Sequence, residues 1–168
     1  ISFGQTPDLP HPLAAVWEAW KAAYMEQDGR VVDLLQSGAS HSESQGYGLL
    51  LAATMQDAAA FDAIDDWTTR HLRIRQDNLL AWRWLPQATL AVPDRNNASD
   101  GDLFYAWALI RAAKAFDRPA LTERATAIAR DLSDICVQNH PDGSGRLVLA
   151  PAATGFQRDS GLIWNPSY

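Results

Sequence analysis

The chain has 168 residues, 47% hydrophobic and 20% charged, which supports one domain with a buried core and excludes intrinsic disorder. Its net charge is −6, and the acidic residues are scattered, so there is no basic stripe for nucleic acid and a neutral or cationic partner fits better. A single cysteine, Cys136, allows no internal disulfide, and no run of about 18 apolar residues offers a membrane span.

Helical periodicity dominates from the start. The first helix is predicted over residues 12–27, with Leu13, Trp17, Trp20 and Tyr24 on one stripe and Asp28-Gly29 as its stop. A second runs over residues 42–56, where Ser42 and Gln45 stand in a capping-box relation. Asp57 caps a third over residues 58–72, which turns Phe61, Ile64 and Trp67 inward. Trp82 and Trp84 alternate around Arg83 in an extended stretch, so both are expected on one side, either as a platform for a sugar ring or as packing. Ser99 or Asp100 opens a fourth helix that ends near Phe116, with Leu103, Trp107, Ile110 and Ala113 on its stripe. After the turn at Asp117-Arg118-Pro119, a fifth covers residues 120–137 through Leu121, Ala125, Ile128, Leu132 and Ile135. A turn-rich stretch over residues 139–145 precedes a hairpin over residues 146–156. The expected fold is all-α, antiparallel helix pairs plus one small hairpin, in a single domain over residues 1–168.

The chemistry gathers at two helix mouths. Ser42-Glu43-Ser44-Gln45-Gly46-Tyr47-Gly48 places a carboxylic acid at the start of the second helix, and Asn96-Asn97-Ala98-Ser99-Asp100-Gly101-Asp102 places two at the start of the fourth. Hydrolysis of a glycosidic bond needs one carboxylic acid to protonate the leaving oxygen and a second carboxylate to activate water or attack carbon. A helix N-terminus favours the ionised form, so a proton-donating Glu43 needs desolvation under aromatic rings and a nearby negative charge, for which Asp100 is the candidate. Asp100 and Asp102 have no such conflict, although acids in a first helical turn are routine caps and Asp102 suits that role or a supporting one. Seven tryptophans exceed what a core of this size requires and fit a surface that stacks on sugars. Gly46 and Gly48 cost about 1 kcal/mol each within a helix, so a neighbouring backbone or a ligand approaches closely there.

Other chemistries fit less well. Asp94, Asn96 and the acids after them resemble a calcium loop, but Ala98 and Ser99 fall where that pattern needs a ligand and a glycine. His11, His41, His71 and His140 have no zinc spacing, although His41 stands beside Glu43 and is placed to orient it or to donate to substrate. No phosphate-cradling loop or nucleophile elbow is present. Neither a metal nor an organic cofactor is expected.

Over most of its length, from Trp17 to Tyr168, the sequence resembles glycoside hydrolase family 8, within it the endo-β-1,4-glucanases of bacterial cellulose synthesis. The resemblance is carried by Gly29-Arg30-Val31-Val32-Asp33, the two acid motifs and Asn165-Pro166-Ser167-Tyr168. It implies Glu43 as general acid and Asp100 as the aspartate contacting the sugar at the cleavage point, with Tyr168 near the attacking water. Asp102, Trp82, Trp84, Tyr47 and Asn97 complete the expected substrate-binding set. Ser44 stands where these cellulases commonly have glycine. The implied fold is part of an (α/α)6 barrel, an incomplete toroid matching the family's first half. The family's catalytic base lies in a later segment, so the expectation is a fragment of a longer enzyme or a barrel completed by a second chain. The implied substrate is a β-1,4-glucan chain, with chitosan and xylan as alternatives, and the implied location is periplasmic or secreted. A non-catalytic glucan-binding module and a helical adaptor are the readings from other classes.

Overall fold

The computed structural model describes residues 12–158 and 161–163. Five α-helices carry the core: α1 Ala14–Tyr24, α2 Ser42–Thr54, α3 Ala58–His71, α4 Ser99–Ala115 and α5 Ala120–Cys136. Three two-stranded antiparallel ribbons join them: β1 Ser40–His41 with β2 Arg83–Trp84, β3 Val137–Asn139 with β4 Leu147–Leu149, and β5 Gln157–Arg158 with β6 Gly161–Leu162.

The helices α2 and α4 lie side by side and parallel, because Gly101 meets Ser42 while Gly46 meets Phe104 and Tyr105 one turn further along both. A Cβ on Gly46 would stand 2.7 Å from the Cβ of Phe104, so the two backbones approach as closely as they do only because no side chain intervenes. The sequence left a choice between a backbone and a ligand for this glycine; the neighbour is backbone. Helices α3 and α5 return along the outside. Asp65 on α3 accepts from Tyr105 Oη at 2.7 Å and pairs with Arg124 of α5 at 2.7 Å, which joins three helices through one carboxylate. Trp67, Phe61, Ile64, Leu49, Tyr105 and Leu109 fill the core between the layers.

Several elements differ from the sequence expectation. Helix α1 ends at Tyr24 rather than near Gln27, because Met25 leaves the helix to bridge Val31 and the Val32 N–H bonds the Tyr24 carbonyl. Of its predicted stripe only Trp17 is buried, while Leu13 and Tyr24 face outward. The N-cap of α2 is His41, one residue earlier than expected, and Ser44 Oγ accepts from the His41 N–H at 3.1 Å. Gln45 is instead a core residue: its Oε1 accepts from the Val31 N–H and its Nε2 donates to Thr68 Oγ1. Asp57 caps α3 as expected and also accepts from Trp17 Nε1 and Lys21 Nζ. Burial opposes that charge, but the Lys21 ammonium, the Ala60 N–H and the Trp17 N–H together hold the Asp57 carboxyl below its ordinary range.

Helix α4 is rotated relative to its predicted stripe. Leu103, Trp107 and Ile110 are about half exposed, and the buried face is Asp102, Tyr105, Ala106, Ala108, Leu109 and Ala112. Apolar residues surround most of this helix, and the close approach to α2 at Gly46 and Gly101 sets its rotation, with Tyr105 and Leu109 turned into the core and Leu103, Trp107 and Ile110 outward. The hairpin also moves: Val137 to Asn139 pairs with Leu147 to Leu149 across the turn-rich stretch, so residues 150–156 form a loop rather than a second arm. Among the described residues the helices form an open array, not a closed barrel.

Candidate active site

The parallel packing of α2 and α4 puts their N-termini next to each other, and the two acid motifs with them. Any side chain at Gly101 would overlap Ser42 and come within 2.9 Å of the Glu43 backbone nitrogen. Glu43 and Asp100, half-buried in the first turns of their helices, consequently open into one cleft of about 610 Å³. His41, Tyr47, Trp82, Asp94, Asn97 and Phe156 also line it.

Backbone and side-chain hydrogen bonds build the walls. The Ser42 N–H bonds the Trp82 carbonyl at 3.0 Å, and the Trp82 N–H bonds the Asn96 carbonyl at 2.9 Å, so the strand after Leu80 is clamped between both acid motifs. The Trp82 indole N–H donates to Asp94 Oδ2 at 2.9 Å, which fixes the ring at the cleft edge. On the far side the 150–156 loop is held by Ser99 Oγ donating to the Ala150 carbonyl at 2.6 Å and by Asn97 Oδ1 accepting from the Ala153 N–H at 2.6 Å.

Within the cleft, Tyr47 Oη donates to Glu43 Oε1 at 2.9 Å, the two residues standing one turn apart on α2. Burial, the hydrogen bond to Glu43 and the negative charges of Glu43 and Asp100 all raise the Tyr47 phenol above its ordinary pKa. Tyr47 therefore keeps its proton and acts as a donor. The His41 ring stacks on Trp82 at 5.9 Å, and its Nδ1 lies 3.8 Å from Asp33 Oδ2. Burial lowers its pKa, with Arg83 in the same direction, against the opposing pull of Asp33 and Glu43. A neutral imidazole at pH 7 follows.

Three expected sugar contacts, Asp102, Trp84 and Asn97, take other roles. Asp102 is fully buried, and its oxygens accept from the Leu80 N–H at 2.8 Å and from Asn97 Nδ2 at 2.9 Å. It supports the cleft floor and does not reach a substrate. Burial pushes its carboxyl up to about 7, more than the two donors and Arg75 pull it down. Trp84 does not share a platform with Trp82: it packs edge-on against Trp67 at 5.6 Å and lies under the Arg30 guanidinium. Period-2 alternation fails here because β2 is only Arg83–Trp84, and Trp82 is held by the neighbouring loops instead. Asn97 borders the cleft but spends its amide on Asp102 and Ala153, so its part is to hold the loop. Tyr168 lies outside the described residues.

Sequence reasoning missed Asp33, Asp94 and Phe156 as cleft residues. They come from three separated loops, and no periodic pattern marks them. The sequence marks Asp33 only as the end of the Gly29-Arg30-Val31-Val32-Asp33 motif and Asp94 only as part of a calcium-like loop. Among the described residues no group of three or more His, Cys, Asp or Glu side chains is arranged to hold a metal ion.

The helical scaffold thus gathers four carboxylates, Asp33, Glu43, Asp94 and Asp100, and an aromatic wall around one open groove. The pattern of glycosyl hydrolases family 8 matches residues 9–168. A probable endoglucanase of Novacetimonas hansenii is 41% identical over 159 residues, 95% of this chain and 46% of that protein. An endoglucanase of Cellulomonas uda is 39% identical over 90% of this chain and 42% of its own length. In structure, the endo-β-1,4-glucanase CMCax of Acetobacter xylinum superposes with a TM-score of 0.86 at 40% identity, over 94% of this chain and 48% of that one. The chain belongs to glycosyl hydrolase family 8, and it spans less than half the length of these relatives.

Proposed function

We propose that this chain supplies the acid-bearing half of the cleft of an inverting endo-β-1,4-glucanase. The observation that carries the reading is the shared groove of Glu43 and Asp100, built by the contact of Gly101 with Ser42 and Glu43. Glu43 protonates the glycosidic oxygen and Asp100 accepts hydrogen bonds from the distorted sugar, while Trp82 offers its ring at the cleft edge. In an inverting enzyme the base stands about 6.5–9.5 Å from the acid, with a water between them. That carboxylate base comes from a segment beyond these residues or from a second chain, and the same part completes an (α/α)6 barrel. The endo-β-1,4-glucanases of Acetobacter xylinum and of an Achatina fulica gut metagenomic library, 40% and 38% identical to this chain, support β-1,4-glucan as substrate. Because cellulose lies outside the cytoplasm, a periplasmic or secreted location follows from that substrate.

The test compares Glu43→Gln with wild type in the complete enzyme on carboxymethylcellulose, with chitosan and xylan in parallel. The expected result is loss of at least about a hundredfold in kcat, the usual contribution of a positioned acid. Undiminished release of reducing ends by the variant would exclude Glu43 as the donor. Binding of cello-oligosaccharides by a wild type that hydrolyses none of the three polymers would point to a glucan-binding module instead.

A further inference from the structure

A matched pair of aromatic residues accompanies the two acids. Tyr47 follows Glu43 by four residues on α2, and Phe104 follows Asp100 by four on α4, so each ring stands one turn above its acid. The rings pack against each other with centroids 4.6 Å apart at 46°. Gly46 makes this possible by letting Phe104 approach α2 at its Cβ. Phe104 thus restrains the Tyr47 ring, and the ring aims its hydroxyl at Glu43 Oε1, 2.9 Å away.

We infer that Tyr47 is a positioning residue that selects which oxygen of Glu43 carries the transferable proton. This rests on Glu43 being the acid. With Oε1 occupied as an acceptor, the transferable proton resides on Oε2. In the reaction, the Glu43 Oε2–H bond breaks as the proton passes to the glycosidic oxygen, the bond from that oxygen to the anomeric carbon breaks, and the leaving sugar departs as an alcohol. Water bonds to the anomeric carbon and gives its proton to the carboxylate base of the remaining part of the enzyme, while Glu43 is left ionised. Tyr47 then stabilises the carboxylate it has oriented. Glu43 shares the cleft with Tyr47 from its own helix, Asp100 from α4, and His41, Asp33 and Asp94 from the walls.

The experiment is Tyr47→Phe in the complete enzyme, run beside Glu43→Gln. Tyr47 is 43% exposed, so loss of one hydroxyl leaves folding intact, which a thermal melt within about 4 °C of wild type confirms. On soluble β-1,4-glucan, kcat is expected to fall about tenfold or more with KM changed less than about threefold, because orientation matters in the transition state rather than in binding. With cellobiosyl fluoride, whose leaving group needs less protonation, the loss should be smaller than with glucan. Unchanged kcat in Tyr47→Phe, with Glu43→Gln inactive, would overturn the inference while leaving the acid in place. A rise in KM alone, or equal losses on glucan and fluoride, would also overturn it and make Tyr47 a sugar contact or a packing residue. Full activity in Glu43→Gln would remove the acid assignment itself.

Discussion

Asp102 shows how two acids two residues apart in one helical turn take different roles. Asp100 faces the cleft, whereas Asp102 turns inward and ties Leu80 and Asn97 together. Its burial raises the carboxyl from the ordinary 3.8 to about 7, so the folded chain retains a proton that the unfolded chain releases between those values. Stability from this group is therefore greatest below about pH 4 and declines as pH rises toward about 7, by on the order of 2–4 kcal/mol. Asp102→Asn should remove that slope. It should also cost about 1–3 kcal/mol at low pH, because its amide presents NH₂ to one of two buried donors. Urea denaturation midpoints of both proteins across pH 4–8 check both effects; parallel curves would contradict the assignment. Trp82 and Trp84 make the same point for aromatics. Their spacing was legible in the sequence, but which loop each ring would meet was not.

At the scale of the element, the decisive contact is the one between the N-termini of α2 and α4. Gly101 meets Ser42 and the Glu43 backbone with no room for a side chain. Gly101→Ala is expected to push the helix mouths apart, to cost about 1–3 kcal/mol by overpacking, and to lower kcat more than it raises KM, since the distance between Glu43 and Asp100 changes. Denaturant titration and steady-state kinetics measure both; an alanine variant with native stability and rate would show that this spacing tolerates change. Existence and order of the five helices were readable from periodicity and punctuation, and α3 and α5 lie within a residue or so of their expected bounds. The buried stripe of α4 was not readable. Leu103, Trp107 and Ile110 have the right spacing for a core face, yet the close approach of α4 to α2 at Gly46 and Gly101 turns Ala108, Leu109 and Ala112 inward instead.

For the whole molecule, the bulky side of the array remains uncovered. Next to the acid cleft, and sharing Asp33, Ser44 and Tyr47 with it, lies an apolar hollow of about 760 Å³ walled by Trp20, Tyr24, Leu35, Leu51, Phe104 and Trp107. Leu35 is 97% exposed and Trp107 54%. Contiguous exposed apolar surface of this kind drives association. The 168 residues expressed alone are expected to bind a hydrophobic dye strongly and to elute as associated species, and the complete enzyme to do neither. Light scattering after gel filtration distinguishes these outcomes, and a monodisperse, dye-silent 168-residue chain would show that the face is tolerated in water.

The amino-acid sequence by itself determined the helical class, the two acid-bearing helix mouths and the membership of a hydrolase family, because these depend on local periodicity, capping and short contiguous motifs. Only the tertiary structure decided which face of each helix is buried, that Asp102 turns inward and Asp100 outward, and that Asp33, Asp94 and Phe156 from distant loops share a cleft with Glu43. Those outcomes depend on how closely two backbones can approach, and that is settled by glycines and small side chains meeting across about sixty residues of chain rather than within any window of it.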